Sequence, residues 1–272
     1  MEYSVRIHGQ LLELSSPKVM AIVNITPDSF YTSCSTMQEQ QVLSTVEQAI
    51  SDGADIIDLG ACSTRPGSTP IDAQEELLRL SSTLQTVRHY WPEIVISVDT
   101  FRSDIAHHAL CHGADIINDV YGGEADKEIW KVVAQHHAPY ILTHSQTIQP
   151  SHGQYDTTSS QVLHYLQHAL DQLHRMGVAD VIIDPGFGFG KTQQQNYTLL
   201  AQLRLLQHLH APILAGLSRK SMLYQALQTT PQDVLPATVA ANTIALQHGT
   251  NILRVHDVKA AKQAIEVYKL TR

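Results

Sequence analysis

The sequence predicts an α/β chain folded as a (β/α)8 TIM barrel with a short N-terminal hairpin. Three observations carry that prediction. Eight apolar runs alternate with helical stretches without interruption. The runs are near-continuous rather than alternating, as expected of parallel strands buried on both faces. Each run also ends in polar or ionisable residues, and barrels of this kind place their active sites at the C-terminal ends of the strands. The alternative, an open doubly wound sheet, needs a switch point and usually has fewer strands.

The elements follow in order. Residues 3–14 alternate weakly (YSVRIHGQLLEL) and read as a hairpin turning at Gly9, within a segment 1–16 outside the main pattern. The first barrel run is 19–25, followed by the loop TPDSF and a helix over 40–51 with Gly53 as its C-cap. The second is 55–60, then the loop ACSTRPGSTP. A helix after it carries Ala73, Leu77, Leu80, Leu84 and Val87 as an apolar stripe. Runs 94–99, 115–119 and 139–143 follow, with helices over 103–111 and 124–136 and one through Val162, Leu166, Ala169, Leu170 and Leu173. The sixth run, 181–183, breaks at Asp184 and Pro185, and its helix passes through Leu199, Leu203 and Leu206. The seventh is 212–217, with a short helix from Lys220 and a longer one over 235–248. The eighth is 251–256, with a last helix over 258–268. No linker or shift in composition divides the chain, so residues 1–272 are expected to form one domain.

Composition narrows the function. A chain of 272 residues with 43% hydrophobic residues can bury a large core. Its net charge of -8 argues against nucleic acid as a partner, because a phosphate-tracking surface needs excess Lys and Arg. No run approaches the ~18 apolar residues of a membrane span, so no membrane partner is expected. Three cysteines, Cys34, Cys62 and Cys111, form no C-x-x-C pair, which fits a reducing, cytoplasmic setting. Sixteen histidines are present, but no H-E-x-x-H or His/Cys motif gathers them, and most are expected on exposed helix faces.

The stretch DVIIDPGFGFGK (180–191) invites two phosphate-loop readings, and both fail by one residue. A P-loop would need glycine where Pro185 stands, and a dinucleotide fingerprint would need it where Lys191 stands. The chemistry is sought instead in the strand ends: Asn24, Asp58, Asp99, Asn118, His144, Asp184, Ser218, Arg219, Lys220, Arg254 and His256. Arg254 and His256 are two apart and share a side of a strand. With Lys220 they suggest an anion site after strands seven and eight. Asp99, Asn118 and Asp184 offer acceptors, and a heteroaromatic ring with an amino-amidine edge would supply donors in one plane. A metal site is the second reading of these acids, though no ligand spacing supports it.

Taken together, NITPDSF, DIIDLGACSTRPG, SVDTFR, INDV, DPGFGFGK, GLSRKS and RVHDV resemble, in order, the signatures of the dihydropteroate synthase family of folate biosynthesis. The likeness runs from about residue 19 to 258. It implies a transferase that joins (7,8-dihydropterin-6-yl)methyl diphosphate to 4-aminobenzoate, giving 7,8-dihydropteroate and diphosphate. Carried over by motif, the resemblance puts the pterin against Asp58, Thr64, Asp99, Asn118, Asp184 and Lys220. The diphosphate falls to Asn24, Arg65, Arg254 and His256, with Mg2+ at Asn24. The aminobenzoate falls to Phe30, Thr64, Pro66, Phe189 and Ser221. Asp99, Lys220, Arg254 and His256 are the implied catalytic residues, and a homodimer is implied by analogy. A corrinoid methyltransferase barrel would share the acidic pterin contacts but handles no diphosphate; SRKS and RVHD argue against it. The chain departs from the family's usual pattern in three places. YTSCST follows TPDSF where an acidic, glycine-containing loop is usual. Cys62 stands where glutamate is common, and HSQT follows strand five, where Ser145 would make the pterin wall more polar.

Overall fold

The computed structural model describes residues 3–7, 9–25, 36–62, 71–149 and 157–271. Strands β1 (Ser4–Ile7) and β2 (Gln10–Glu13) form the expected antiparallel hairpin, turned at Gly9 with φ +76°. The repeating units then run β3 (Lys18–Asn24), α1 (Thr36–Ser51), β4 (Ile56–Gly60), α2 (Ala73–Tyr90), β5 (Val95–Asp99), α3 (Ser103–Cys111). They continue with β6 (Ile116–Asp119), α4 (Glu128–His136), β7 (Tyr140–Thr143), α5 (Thr158–Arg175), β8 (Val181–Asp184) and α6 (Gln193–Ala201). A 3-10 helix (Leu203–Leu209), β9 (Leu214–Ala215), α7 (Ser221–Ala226), α8 (Leu235–Gln247), β10 (Ile252–Val255) and α9 (Val258–Lys269) complete the chain.

The eight-stranded sheet has the order β8-β7-β6-β5-β4-β3-β10-β9, with every pairing parallel. A parallel bridge between Ile183 and Ile213, with Ile183 N–H donating to Pro212 O at 2.9 Å, joins its two ends. The sheet is therefore a closed barrel, not the open alternative.

Four elements differ from the sequence reading. α1 starts at Thr36 rather than 40. The seventh strand keeps only Leu214–Ala215, since Pro212 has no N–H for a ladder and Gly216 leaves it. α4 starts at Glu128 rather than 124, because Asp119 captures the N–H groups of Tyr121 and Gly123 and holds a turn ahead of it. The helix through Leu199, Leu203 and Leu206 is two pieces, α6 and a 3-10 helix, yet all three leucines remain buried.

Period-two alternation decides what each strand offers to the barrel interior. Met20, Ile56, Ile116, Ile141, Ile182, Leu214 and Ile252 form one inner cluster, one residue from each barrel strand but β5, whose partly buried Val95 packs against them, and Val5 and Leu14 of the hairpin segment plug it from below. Val19, Ala21, Ile57, Leu59, Ile96, Val98, Ile117, Leu142, Ile183 and Leu253 belong to the other cluster, against the helices. Burying a side chain of this size contributes about 1.5–3 kcal/mol. The residues two beyond the inner layer are the ones lifted to the barrel mouth: Asp58 above Ile56, Asn118 above Ile116, Asp184 above Ile182, and Arg254 above Ile252.

Candidate active site

At the mouth the strand register sets Asn24 beside Gly60, Gly60 beside Asp99, and Asp99 beside Asn118. Asp58, Asp99, Asn118 and Asp184 are all buried. The charge of Asp58 and Asp99 is met by one guanidinium. Arg254 donates from Nε to Asp58 Oδ2 at 2.6 Å and from Nη2 to Asp99 Oδ2 at 2.6 Å. Asn118 Nδ2 adds a donor to Asp58 Oδ2 at 3.1 Å. Asp58 Oδ1 and Asp99 Oδ1 are buried and accept no hydrogen bond among the described residues. Buried carboxylate oxygens left this way are costly, so the site is built to receive donors from a ligand.

The loop after β8 closes one side. Asp184 Oδ1 accepts from Gly186 N–H at 2.7 Å. Phe187 is buried in the core, whereas Phe189 is half-buried with Lys220 Nζ 4.4 Å from its ring centroid. A Cβ on Gly186 would sit 1.9 Å from His144 O, and one on Gly190 would sit 2.4 Å from Gln146 O. The glycines thus let this loop lie directly on the backbone of the loop after β7; they do not form a phosphate cradle.

Lys191 pins that contact. Its Nζ donates to His144 O (3.1 Å), Gly186 O (2.9 Å) and Phe189 O (3.0 Å), and lies 3.0 Å from His144 Nδ1. Beyond β10, His256 Nδ1 lies 3.0 Å from Ser218 Oγ, and its N–H donates to the same oxygen at 3.2 Å.

Burial and mutual charge displace the protonation equilibria here. Burial raises Asp99 to about 7 against the pull of Arg254, and Asp58 pushes the same way as burial. Burial also raises Asp184, although the Gly186 N–H and the Lys220 charge act to lower it. Lys220 falls to about 8 and Lys191 to about 7, in both cases through burial and against Asp184. The carbonyls around Lys191 can only accept, so they oppose loss of its proton. His144 drops to about 3 through burial and the nearby Lys191, which keeps its imidazole neutral. A cavity of about 400 Å³ lies at the opposite end of the barrel, lined by Tyr3, Ser15, Gln207, Thr250 and Tyr268 among others; it gathers no carboxylate or imidazole.

The family model for pterin-binding enzymes matches residues 20–256. The chain belongs to the pterin-binding enzyme family. Among its relatives in the family, the dihydropteroate synthase of Escherichia coli strain K12 is 36% identical over 269 residues, covering 97% of this chain and 94% of that protein. The Streptococcus pyogenes serotype M3 enzyme of the same name is 37% identical over 263 residues, covering 95% and 97%. The solved structure of Xanthomonas albilineans dihydropteroate synthase with 4-aminobenzoic acid superposes with a TM-score of 0.90 at 33% identity, covering 100% of this chain and 98% of that one.

Against the family expectation, the structure gathers Asp58, Asp99, Asn118 and Arg254 by direct contact, with Asp184, Lys220 and Phe189 alongside. Arg254 is engaged with carboxylates rather than exposed as a bare anion site. Asp257 is not its partner, because Arg219 holds Asp257 with bonds of 3.1 and 2.8 Å. His256 faces Ser218, Ser221 opens α7, and Asn24 is exposed at the rim. Phe30, Cys34, Thr64, Arg65 and Pro66 lie outside the described residues.

Two networks escaped the sequence reading. Lys191 stood out only as the residue that breaks a dinucleotide fingerprint. Arg102 pairs with Glu76 Oε2 and donates to Ile71 O at 2.7 Å, while Thr100 donates to Glu76 Oε1 at 2.7 Å, which ties down residue 71 just after the second loop. The buried glutamate on the α2 stripe was the available signal for that one.

Proposed function

We propose that this chain is a dihydropteroate synthase, condensing (7,8-dihydropterin-6-yl)methyl diphosphate with 4-aminobenzoate to 7,8-dihydropteroate and diphosphate. The observation that carries the reading is the set of buried, donor-poor carboxylates at the mouth of a barrel that matches enzymes of that name over nearly its whole length. A pterin presents amino and ring N–H donors along one edge, and Asp99, Asp184 and the Asp58–Asn118 pair are the complementary acceptors. Asp58 and Asp99 hold the Arg254 guanidinium at the same mouth, within the reach of a substrate's diphosphate.

The chemistry follows from those charges. The bond from the methylene to the diphosphate oxygen breaks and its electron pair leaves with the diphosphate. The pterin ring delocalises the positive charge left on the methylene, and the Asp99 and Asp184 carboxylates favour that cation. The neutral aromatic amine of 4-aminobenzoate attacks the methylene and afterwards gives up a proton to water. No strong base is required, so positioning by Phe189, Lys220 and Ser221 does much of the work. Arg254 and His256 stabilise charge growing on the leaving group.

The donor set also fits Mg2+: the Asn24 carboxamide is a hard oxygen ligand exposed at the mouth, 3.9 Å from where a Cβ on Gly60 would stand. One protein oxygen completed by substrate phosphates and water suits that ion. When bound, it would neutralise charge on the diphosphate. Among the described residues no helix is long and apolar enough to cross a membrane, and Cys62 and Cys111 are free thiols, which supports a cytoplasmic enzyme. A second copy of the chain is the expected partner, for which Ile244 on α8, Val267 on α9 and Leu270 just beyond it offer exposed apolar surface. The test of function is diphosphate release by purified protein given both substrates and Mg2+. Release dependent on 4-aminobenzoate supports the reading; pterin binding with no release overturns it.

A further inference from the structure

We propose that the outer face formed by α3 and α4 is a binding site for a zinc-class divalent metal ion, held by His107, Cys111 and His136. The sequence reading expected no gathering of histidine and cysteine; the fold makes one. His107 and Cys111 are four apart on α3 and therefore share a face, and α4 brings His136 to them from 29 positions away. One ligand atom from each of the three lies within 4.8 Å of the others. His107 Nδ1 is 2.9 Å from His136 Nε2, and Cys111 Sγ is 3.8 Å from His107 Nε2. These two contacts use opposite nitrogens of His107. Since bonds of 2.0–2.3 Å in a tetrahedron set ligand atoms about 3.3–3.7 Å apart, the exposed His107 ring must rotate to offer a single nitrogen to an ion shared with His136 and Cys111.

The chemistry of the set selects the metal. Two imidazoles and a thiolate suit borderline-soft ions such as Zn2+ and Co2+, and disfavour Mg2+ or Ca2+, which take oxygen. Binding breaks the hydrogen bond between the two facing imidazole nitrogens, whose proton moves to the other nitrogen of its own neutral ring, and the Cys111 thiol releases its proton to solvent. Burial and the neighbouring His107 hold His136 below the usual imidazole range, which favours its neutral, ligating form. His107 and Cys111 are exposed, so the ion reaches the site from solvent and water completes its coordination. The site stands on the outer wall, remote from the barrel mouth, and its consequence is mechanical: it clamps two neighbouring helices of the ring.

The test uses the full chain with Co2+ alone and then Zn2+ alone. Titration with Co2+ is expected to saturate at one ion per chain, with a thiolate-to-cobalt charge-transfer band in the near ultraviolet. Zn2+ is expected to displace it and to raise the thermal midpoint. Cys111→Ser is expected to abolish the band, and His136→Ala to weaken binding by more than about 100-fold, beyond what loss of a supporting residue costs. Both variants should keep the far-ultraviolet dichroism and turnover of the parent protein, and replacing an exposed histidine away from the site, His168→Ala on α5, should change nothing. A Co2+ complex with no thiolate band, or Zn2+ affinity unchanged in both variants, overturns the proposal.

Discussion

Asp99 and Asp119 end neighbouring strands and are both buried, yet they have opposite surroundings. Asp119 is saturated. It accepts from Tyr121 N–H (2.9 Å), Gly123 N–H (2.6 Å) and Tyr140 Oη (2.7 Å), and Tyr140 in turn accepts from Trp130 Nε1 at 3.0 Å. Asp99 has one side-chain partner, Arg254, and its Oδ1 accepts nothing among the described residues. The difference comes from strand phase. Asp119 points outward to α4 and the turn before it, where the fold itself supplies donors. Asp99 points inward to the mouth, where a ligand must. A buried carboxylate is therefore no sign of a site by itself; an unsaturated one is.

The sharpest way to break the contrast is to remove each charge in turn. Asp99→Asn is expected to lower turnover by about 10²–10³-fold, the usual loss when a preorganised electrostatic contact is removed. Its thermal midpoint should stay near or above the parent value, because burial already disfavours the charge there. Steady-state rates and a melting curve check both halves. Asp119→Ala should do the reverse. It leaves the Tyr140 hydroxyl and two amides without their acceptor and is expected to cost about 3 kcal/mol or more of stability, with turnover per folded molecule nearly kept.

Lys191→Met extends the comparison to a cation. It strips a donor from three carbonyls and frees the β8 loop from the β7 loop, so a loss of about 1–3 kcal/mol is expected, with KM for the pterin substrate rising more than kcat falls. Denaturant unfolding together with kinetics separates the two effects.

The pH dependence of stability probes the same contrast without changing the side chain's size or shape. Asp99 holds its proton more tightly when folded, at about 7, than at its unfolded value of 3.8. Its contribution to stability is then complete below about 3.8 and is lost as pH rises through about 7. Thermal midpoints measured across that range should fall less steeply with rising pH in Asp99→Asn than in the parent. Equal slopes would remove the perturbed carboxyl from the explanation.

Much of this was legible in the sequence, for identifiable reasons. Eight apolar runs indicated the barrel, and reading the polar residues near the end of each run found Asp58, Asp99, Asn118, Asp184 and Arg254, because inner-phase residues at strand ends have nowhere to go but the mouth. What stayed hidden depends on contacts made between distant segments. Nothing near Asp119 announces that Tyr140 will meet it from the next strand. The carbonyls that hold Lys191 belong to two loops whose closeness rests on Gly186 and Gly190. The His107–Cys111 spacing is visible on α3, but His136 joins it only through helix packing. The two-residue β9 shows the same limit, since an apolar run reveals burial but not how many residues keep a ladder partner.

Under the proposed function, the unsaturated Asp99 anchors the pterin and the saturated Asp119 anchors the fold. Calorimetric titration of a dihydropterin ligand into Asp99→Asn and Asp119→Ala, each at a temperature where it is folded, tests that claim most directly. Binding should be lost or severely weakened in Asp99→Asn and kept in Asp119→Ala. Undiminished pterin affinity in Asp99→Asn, or equal losses in the two variants, would contradict it.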